Sequence, residues 1–514
     1  MRENRTGIIL ILSLLLLVNL AAHFLPFERA SLGNDDYALS VKAIGLTTSE
    51  IFRLSIRQPD RPFAFILLMN QEKFLRDNPS AGILLVLFFT SMVLISVFFL
   101  LKVLFGGPLL AAIGSIVFCL IPNKLEIYHI PVYTPNSAAH FFYILSLVFM
   151  AYYAKKESRL FLFASILAYS AGLFFYEMGF FLPLVYIGYF YLTRDRKIKQ
   201  ALYFLAPAIF YVLFKTTGVF GFADPSAVHF HKPALTMLST NILDLFQHYF
   251  GRYMIRNVVY GLYNFLAVKP LWLFIVLDSA LLTVIYILIR KRKAEAADGR
   301  LLIAGALIFF FLSIPILLNN FGGVGGRHLE LPLIGAVIFI IWLLEKTKRC
   351  RNAVYLSLIA AALIICQGNA WTQVIACRIN GAVYEAMKEN KDKLIGADNI
   401  IIDTKSFADR IPYTWVKQDF NVLNTYYGAQ AFEDWGLASM VRLATDQPDK
   451  AVYIAAAESP AVAPNETLEF AVLKHDAYRS AGKDTKIIPL KGAFIIDFKR
   501  VYGDNFNDGI RRRD

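Results

Sequence analysis

Two adjacent carboxylates, Asp35 and Asp36, follow the first long apolar segment of the chain. A carboxylate can act as a general base towards an acceptor hydroxyl, and two of them can also bind a divalent cation such as Mg²⁺ or Mn²⁺. Asn34 precedes the pair, and Asn and Asp also cap the free amides at the start of a helix. The pair therefore has a chemical interpretation and a helix-capping interpretation, and one residue could cap while its neighbour does chemistry.

Arg327 is the strongest candidate for binding a phosphate group. It follows the glycine-rich run 322–326, where the backbone can approach a ligand closely, and a guanidinium can bind phosphate through two parallel N–H donors. The same side chain could instead reach the headgroups of membrane lipids. Arg57 and Arg61 are weaker candidates for the phosphate role, since both could solvate the polar face of a helix at the membrane surface.

Four more polar residues are predicted to line a cavity near these groups. Glu126 and His129 lie between two apolar segments, where they could also be ordinary loop residues. Glu177 interrupts an apolar stretch and needs a partner or water, because an ionised side chain at the centre of a bilayer costs about 3 kcal/mol. His328 directly follows Arg327.

The elements that position these residues are predicted to be membrane-spanning helices. Of the 514 residues, 57% are hydrophobic and 18% are charged, and the apolar residues form runs near the ~20 residues that cross a bilayer. The pattern predicts a polytopic α-helical membrane protein with about eleven spans, at 7–25, 81–101, 109–121, 135–153, 160–175, 178–192, 201–219, 270–289, 301–318, 332–344 and 353–371.

Short basic connections fall on alternate sides of successive spans, and this predicts the orientation of the chain. They contain Arg2 and Arg5, Lys102, Lys155 to Arg159, Arg194 to Lys199, Arg290 to Lys293, and Lys346 to Arg351. Because cytoplasmic loops carry the excess of Lys and Arg, the N-terminus is predicted to be cytoplasmic and everything after residue 371 extracytoplasmic, in a cell or inner membrane. The formal charge of +13 is then explained by contacts with membrane lipids, and nucleic acid is not an expected partner.

Two domains are predicted. Residues 1–371 form the transmembrane domain, with long external loops at 28–80 and 220–269, and residues 372–514 form a small soluble α/β domain. The first loop is predicted to hold two amphipathic helices. The tail is predicted to contain a helix at 375–394 and strands at 399–403, 451–456, 468–473 and 493–498.

Several polar residues are predicted to have structural roles. Asp278 lies within a span and is expected to pair with Lys215. His229, His231 and His248 are read as loop residues, because no metal-ligand spacing accompanies them. The four cysteines are not arranged for a disulfide framework.

Together these motifs resemble the C-type (GT-C) integral-membrane glycosyltransferases, of the protein O-mannosyltransferase or aminoarabinose transferase kind. The resemblance covers about residues 7–344 and is carried by Asp35-Asp36, Arg61-Pro62, Asn78-Pro79, Pro131, Tyr176-Glu177-Met178-Gly179, Leu182-Pro183 and Gly326-Arg327-His328-Leu329-Glu330-Leu331-Pro332.

The resemblance implies an inverting transfer of a hexosyl or pentosyl group from a polyprenyl-phosphate donor to a glycan, lipid or protein acceptor at the extracytoplasmic face. In that case Asp35 and Asp36 would be the catalytic residues. Such a displacement requires a base for the incoming hydroxyl and positive charge for the departing phosphate.

Two other classes of function stay open. A lipid or polysaccharide transporter or flippase would be expected to place polar groups near the midplane of the membrane, whereas the polar candidates here gather at one predicted face. A non-catalytic membrane assembly protein would tolerate replacement of the acidic pair. No cofactor other than a divalent cation is indicated.

Overall fold

The structure is a computed structural model, and it describes residues 5–24, 34–57, 61–76, 81–124, 127–128, 131–195, 197–216, 235–266, 268, 270–291, 299–318, 326–347, 350–397, 399–403, 434–450, 452–455, 467–473, 483–489 and 493–497. Nineteen helices are numbered here in chain order: α1 Arg5–His23, α2 Asn34–Ala43, α3 Thr48–Arg57, α4 Pro62–Leu75, α5 Ala81–Phe105, α6 Pro108–Leu120, α7 Thr134–Lys156, α8 Arg159–Phe175, α9 Leu182–Leu192, α10 Ile198–Ala201, α11 Leu205–Thr216, α12 Leu235–Tyr249, α13 Arg252–Phe265, α14 Leu271–Lys291, α15 Gly299–Leu317, α16 Glu330–Lys346, α17 Arg351–Glu389, α18 Lys391–Gly396 and α19 Asp434–Thr445.

The chain is a helical membrane protein. Within the described ranges, seven helical segments are long and apolar enough to cross a bilayer: Arg5–His23, Ala81–Phe105, Pro131–Lys156, Ile198–Lys215, Leu271–Lys291, Gly299–Leu317 and Arg351–Trp371. Each overlaps a predicted span. Three shorter apolar helices, Pro108–Leu120, Arg159–Phe175 and Glu177–Leu192, also coincide with predicted spans.

The chain divides into two compact units. The first contains residues 1–28, 47–68 and 81–373, and its apolar core is formed mainly by the membrane helices. Proline occupies the first or second position of α6, α7 and α9, where its missing N–H has no intrahelical partner to lose. Short 3-10 turns adjoin these helices at Pro122–Lys124, Pro131–Tyr133 and Glu177–Gly179, and another 3-10 turn, Gly326–His328, precedes α16.

The second unit contains residues 29–46, 69–80 and 374–514. Its parallel sheet has the strand order β2-β1-β5, formed by Val452–Ala455, Asn399–Asp403 and Ala493–Asp497, and Thr467–Leu473 pairs with Lys483–Pro489 as the antiparallel strands β3 and β4. Ile401 aligns with Tyr453 on one side and with Ile495 on the other. Four of the five strands overlap the segments that the sequence predicts as strands.

Helix α2 packs against α19 within this second unit. Near these helices, the carboxylate of Asp446 binds Arg76 and accepts a hydrogen bond from Lys391 Nζ at 2.8 Å. The Lys391 hydrogen bond is the main cause of a lowered pKa of Asp446, and the Arg76 charge adds to it. Helix α4 contributes a second link, since Glu72 accepts a hydrogen bond from the Ser40 hydroxyl of α2 at 2.9 Å.

The structure corrects two details of the predicted elements and adds a third. The first external loop contains three helices, α2, α3 and α4, where two were predicted. The last span and the helix predicted at 375–394 are one continuous helix, α17, followed by the short α18. In the described part of the second long loop the chain is helical from Leu235 to Tyr249 and from Arg252 to Phe265.

Candidate functional site

The candidate site lies in the first unit, where 3-10 turns and helix ends bring polar residues together. The turn that carries Glu177 is held by Tyr143 of α7, whose hydroxyl donates a hydrogen bond to the Tyr176 carbonyl at 2.5 Å. Gly172 and Gly179 lie against the Tyr143 ring, and a Cβ at either position would approach that ring to 2.7 and 2.5 Å. Only glycine leaves room for the Tyr143 ring at these two positions. The packing of the ring against them fixes the direction of the turn.

Glu177 is bound by Arg61. The guanidinium donates from Nε to Glu177 Oε2 at 3.0 Å and from Nη2 to Oε1 at 2.8 Å, which is the two-pronged geometry that suits a carboxylate. Lys215 Nζ lies 3.9 Å from Oε2, and the Tyr211 hydroxyl lies 3.4 Å from the same atom. The Glu177 side chain is 3% exposed and Lys215 is 7% exposed, so these charges interact away from bulk water.

Tyr176 connects this pair to the turn at Gly326–His328. The Arg61 guanidinium carbon lies 3.9 Å from the centre of the Tyr176 ring. The imidazole of His328 stacks on the same ring at an interplanar angle of 11°, with its Nε2 3.2 Å from the Tyr176 hydroxyl. Burial, followed by the positive charges of Arg327 and Arg61, lowers the pKa of His328 well below its usual value. The imidazole is therefore neutral near pH 7.

Arg327 is half-buried and contacts Tyr133. Its Nη1 donates a hydrogen bond to the Tyr133 hydroxyl at 2.5 Å, and its guanidinium carbon lies 4.6 Å from the centre of the Tyr133 ring. Arg327 thus holds its charge against the ring of Tyr133. A planar cation held in this way is suited to a second, anionic partner.

A second buried group of charges surrounds Glu330. Its carboxylate lies 2.6 Å from His140 Nδ1 and 3.6 Å from Lys124 Nζ, and all three side chains are fully buried. Lys124 also donates a hydrogen bond to the Tyr128 hydroxyl at 2.8 Å and lies 3.5 Å from the centre of the Phe118 ring. Burial lowers the pKa of Lys124, and the charge of Glu330 opposes that effect.

The backbone brings these two groups close to each other. A Cβ on Gly326 would lie 2.5 Å from the Asn123 carbonyl oxygen, so the turn at Gly326–His328 packs directly on the turn at Pro122–Lys124. The Asn123 side chain in turn donates a hydrogen bond to the His248 carbonyl of α12 at 2.5 Å. Residues from several separate chain segments therefore form one polar layer.

The predicted site residues fall into three groups. Arg61, Glu177, Arg327 and His328 meet in the first unit through Tyr176 and the turns described above. Asp35 and Asp36 lie in the first turn of α2, which belongs to the second unit, and Arg57 ends α3; the side chains of these three residues lie outside the described part of the structure. Glu126 and His129 lie outside the described residues altogether, as do His229 and His231.

Two structural interpretations of polar residues are wrong. Asp278 pairs with Gln367, whose Nε2 donates to Oδ1 at 2.8 Å, and Lys215 lies beside Glu177. The prediction failed because it matched opposite charges, whereas a buried carboxylate can also be satisfied by a neutral amide. His248 is a buried residue of α12 and not a loop residue.

Sequence reasoning overlooked several members of the site. Tyr133, His140 and Tyr211 belong to helix starts and apolar helices, and each contacts a residue that the sequence did single out. The one available signal was a polar side chain inside an otherwise apolar span, which is unusual unless it has a partner or a function. His140 meets that criterion, since it follows the start of a predicted span.

Comparisons with models of known protein families, with curated proteins and with solved structures give no match. The resemblance to the GT-C enzymes therefore depends on the sequence motifs alone. Among the residues that the structure describes, no group of three or more His, Cys, Asp or Glu side chains is arranged to hold a metal ion. The residues predicted as metal ligands are Asp35 and Asp36, and their side chains lie outside the described part of the structure.

The charged side chains of the layer around Glu177 indicate what it could bind. Among the residues that the structure describes, Arg61 and Lys215 lie beside Glu177, and Arg327 lies near them on the other side of Tyr176 and His328. Cations grouped in this way favour an anionic ligand, and the tyrosine hydroxyls add hydrogen-bond donors. A phosphate ester of a lipid or of a sugar has the chemistry that fits.

Proposed function

We propose that this protein is a membrane glycosyltransferase of the C type, which transfers a sugar from a polyprenyl-phosphate donor to an acceptor with inversion. The observation that supports the proposal is the grouping of Arg61, Lys215 and Arg327 near Glu177 and Tyr176. Arg61, Lys215 and Arg327 come from connections or helix ends that share one predicted face of the membrane. The phosphate of a lipid-linked sugar lies at the membrane surface, so it can reach cations at this face.

Transfer of a sugar from a phosphate donor requires a site with positive charge. When a hydroxyl displaces phosphate from an anomeric carbon, negative charge accumulates on the departing phosphate, and cations already held in place stabilise it without reorganisation. Arg327 is the candidate for the phosphate, because its guanidinium is held by Tyr133 and is only half-buried. In this proposal Arg61 has the role of positioning Glu177 and Tyr176, which revises the phosphate role predicted from the sequence.

An apolar groove beside these cations supports a lipid-linked donor. It has a volume of about 300 Å³ and lies between α9 and α11, lined by Phe180, Phe181, Pro183, Leu205, Val212 and Leu213 among others. Phe180 directly follows the turn that carries Glu177, and Lys215 follows two residues after Leu213. A ligand with an anionic head and a hydrocarbon tail would place its head at the cations and its tail in the apolar groove.

The finer topology belongs to the same proposal. The shorter helices α6, α8, α9 and α16 complete eleven spans, the N-terminus is cytoplasmic, and the second unit is extracytoplasmic. Asp35 or Asp36 then supplies the general base or binds a divalent cation. The acceptor is a glycan, a lipid or a protein.

The test is sugar transfer by the purified protein in lipid nanodiscs, with radiolabelled polyprenyl-phosphate sugars and cell-envelope acceptors. Asp35→Asn and Asp36→Asn should abolish transfer, and Arg327→Gln should lower kcat by about 100-fold or more, as loss of one preorganised donor does. Arg53→Gln, on the exposed face of α3, is the matched control and should retain activity. Full activity in Arg327→Gln and in both Asp variants would refute the proposal.

One observation favours the transporter alternative. Polar groups do occur inside membrane helices, since Asn19 of α1 donates to Thr90 and Ser91 of α5 at 3.3 and 3.2 Å, and Asp278 binds Gln367. Reconstituted vesicles with a fluorescent lipid-linked sugar distinguish the two functions. Movement of the lipid across the bilayer without transfer of its sugar would identify a transporter.

A further inference from the structure

The hairpin formed by α12 and α13 has an inverted distribution of polar and apolar residues. In a water-soluble helix the polar side chains face outward and the apolar ones face the core. Here the buried residues of the two helices include Asn241, His248, Asn257 and Asn264, none more than 5% exposed. The exposed residues of the hairpin include six large apolar side chains: Ile242, Phe246, Phe250, Ile255, Val259 and Leu262.

Polar groups on the inward face of the hairpin form hydrogen bonds with the rest of the first unit. Asn241 Nδ2 donates to the Leu317 carbonyl at 3.1 Å, Asn257 Nδ2 donates to the Pro122 carbonyl at 3.2 Å, and Asn369 Nδ2 donates to the Asn257 carbonyl at 3.0 Å. A Cβ on Gly261 would lie 2.5 Å from the Ile365 carbonyl oxygen, so α13 and α17 pack backbone against backbone. These contacts fix which face of the hairpin points outward.

We propose that the outward face of α12 and α13 is inserted into the hydrocarbon of one membrane leaflet. Lipid is the one solvent in which exposed Phe, Ile, Val and Leu side chains are favourable over such an area. Helix α12 packs against the span α15, and α14, which begins at Leu271 soon after α13 ends, exposes Trp272, Ile275 and Val276. Because α14 is a membrane span, the lipid that covers it also reaches the hairpin.

The hairpin does not cross the membrane. Its helices have 15 and 14 residues and contain the charged residues Asp244, Arg252 and Arg256, whereas the short proposed spans α6 and α9 contain no charged residue. Arg252 is exposed at the start of α13, next to the turn at Gly251, where a guanidinium can reach lipid phosphates. The hairpin is therefore a monotopic element, and it also holds the Pro122–Lys124 turn of the candidate site through Asn123 and Asn257.

The test is spin-label accessibility in nanodiscs made from a phosphatidylcholine and phosphatidylglycerol mixture. Cys350→Ser and Cys377→Ser remove the reactive background, since Cys119 and Cys366 are buried. Single labels are then placed at Phe246→Cys, Val259→Cys and Leu262→Cys. Val276→Cys on α14 is the lipid-facing control, and Lys388→Cys on the exposed end of α17 is the aqueous control.

We expect collisions with O₂ to exceed collisions with a water-soluble nickel chelate at all three hairpin positions, as at Val276. A pattern like that of Lys388, with nickel collisions in excess, would overturn the proposal. Low collision rates with both reagents, together with dipolar broadening between labels, would also overturn it and would assign the face to a second copy of the chain. The readout needs no enzymatic activity, so it is independent of the proposed function.

Discussion

Replacing Glu177 by glutamine tests whether the buried charges of the candidate site act as a unit. The variant keeps the shape of the side chain but removes the negative charge that Arg61 and Lys215 share. It weakens two charge-assisted hydrogen bonds of about 1.5–3 kcal/mol each and leaves two cations without their carboxylate. Breaking a buried ion pair costs about 3–5 kcal/mol, and because the Arg61 side chain is 26% exposed we expect the lower end, about 3 kcal/mol.

Arg61→Gln should cost less, about 2 kcal/mol, because Glu177 keeps Lys215 as a counter-charge. In the double variant neither charge is left unpaired by the loss of the other. The two effects should therefore fall short of additivity by about 1–2 kcal/mol, which is the coupling expected for residues in direct contact.

The assay is reversible unfolding in mixed micelles by increasing SDS, followed by intrinsic fluorescence. Glu157→Gln is the matched control, because Glu157 pairs with Lys197 at 3.1 Å but its side chain is 73% exposed. That surface pair should contribute less than about 1 kcal/mol. If Glu177→Gln is no more destabilising than Glu157→Gln, or if the Arg61 and Glu177 effects are additive, the argument from a buried pair is refuted.

Three more variants test other parts of the structure. Asp278→Asn should cost less than about 1 kcal/mol in the same unfolding assay, because asparagine can keep the hydrogen bond to Gln367; a cost above about 3 kcal/mol would indicate a charged partner. Gly335→Ala should destabilise the protein by about 2 kcal/mol or more, because its Cβ would overlap the backbone of α15, whereas Gly299→Ala meets open space and should have little effect. Asp446→Asn should lower the thermal stability of the second unit by less than about 1 kcal/mol near pH 7, and the difference from wild type should vanish near pH 2. The folded-state pKa of this carboxyl is lowered, so its contribution is present above the unfolded pKa of about 3.9 and is lost as the pH falls through the folded value; a difference that persists in acid would contradict this assignment.

The membrane helices could be predicted because their signal is local. A run of apolar residues such as Ala81–Phe105 can span the bilayer whatever the position of the rest of the chain. Its composition and length are therefore sufficient to predict a membrane helix. The strands of the tail have a similar local signal, and four of them overlap the predicted segments. The α12 and α13 hairpin was missed because its polar residues lower the mean hydropathy although they face the protein.

The partners within the site could not be predicted. Arg61 and Glu177 were both recognised as chemical candidates, but 116 residues separate them and only the packing of α4 against the turn after α8 brings them together. Their mutual ion pair gives Arg61 a positioning role in the proposal, and Arg327 stays the phosphate candidate that the glycine-rich run indicated. His140 and Tyr133 were overlooked because a single polar residue in an apolar helix has no characteristic spacing.

The position of Glu330, two residues after the turn at Gly326–His328, affects the order in which the protein assembles during synthesis. Lys124 and His140 enter the membrane early in synthesis, but the carboxylate of Glu330 that faces them is added 190 residues after His140. At about 5–20 residues per second the ribosome needs roughly 10 to 40 s to reach it. During that interval the nascent helices carry a buried amine without its counter-ion, and the insertion machinery or water has to accommodate it. Assembly of the polar layer is therefore a late event in biogenesis, completed when α16 arrives.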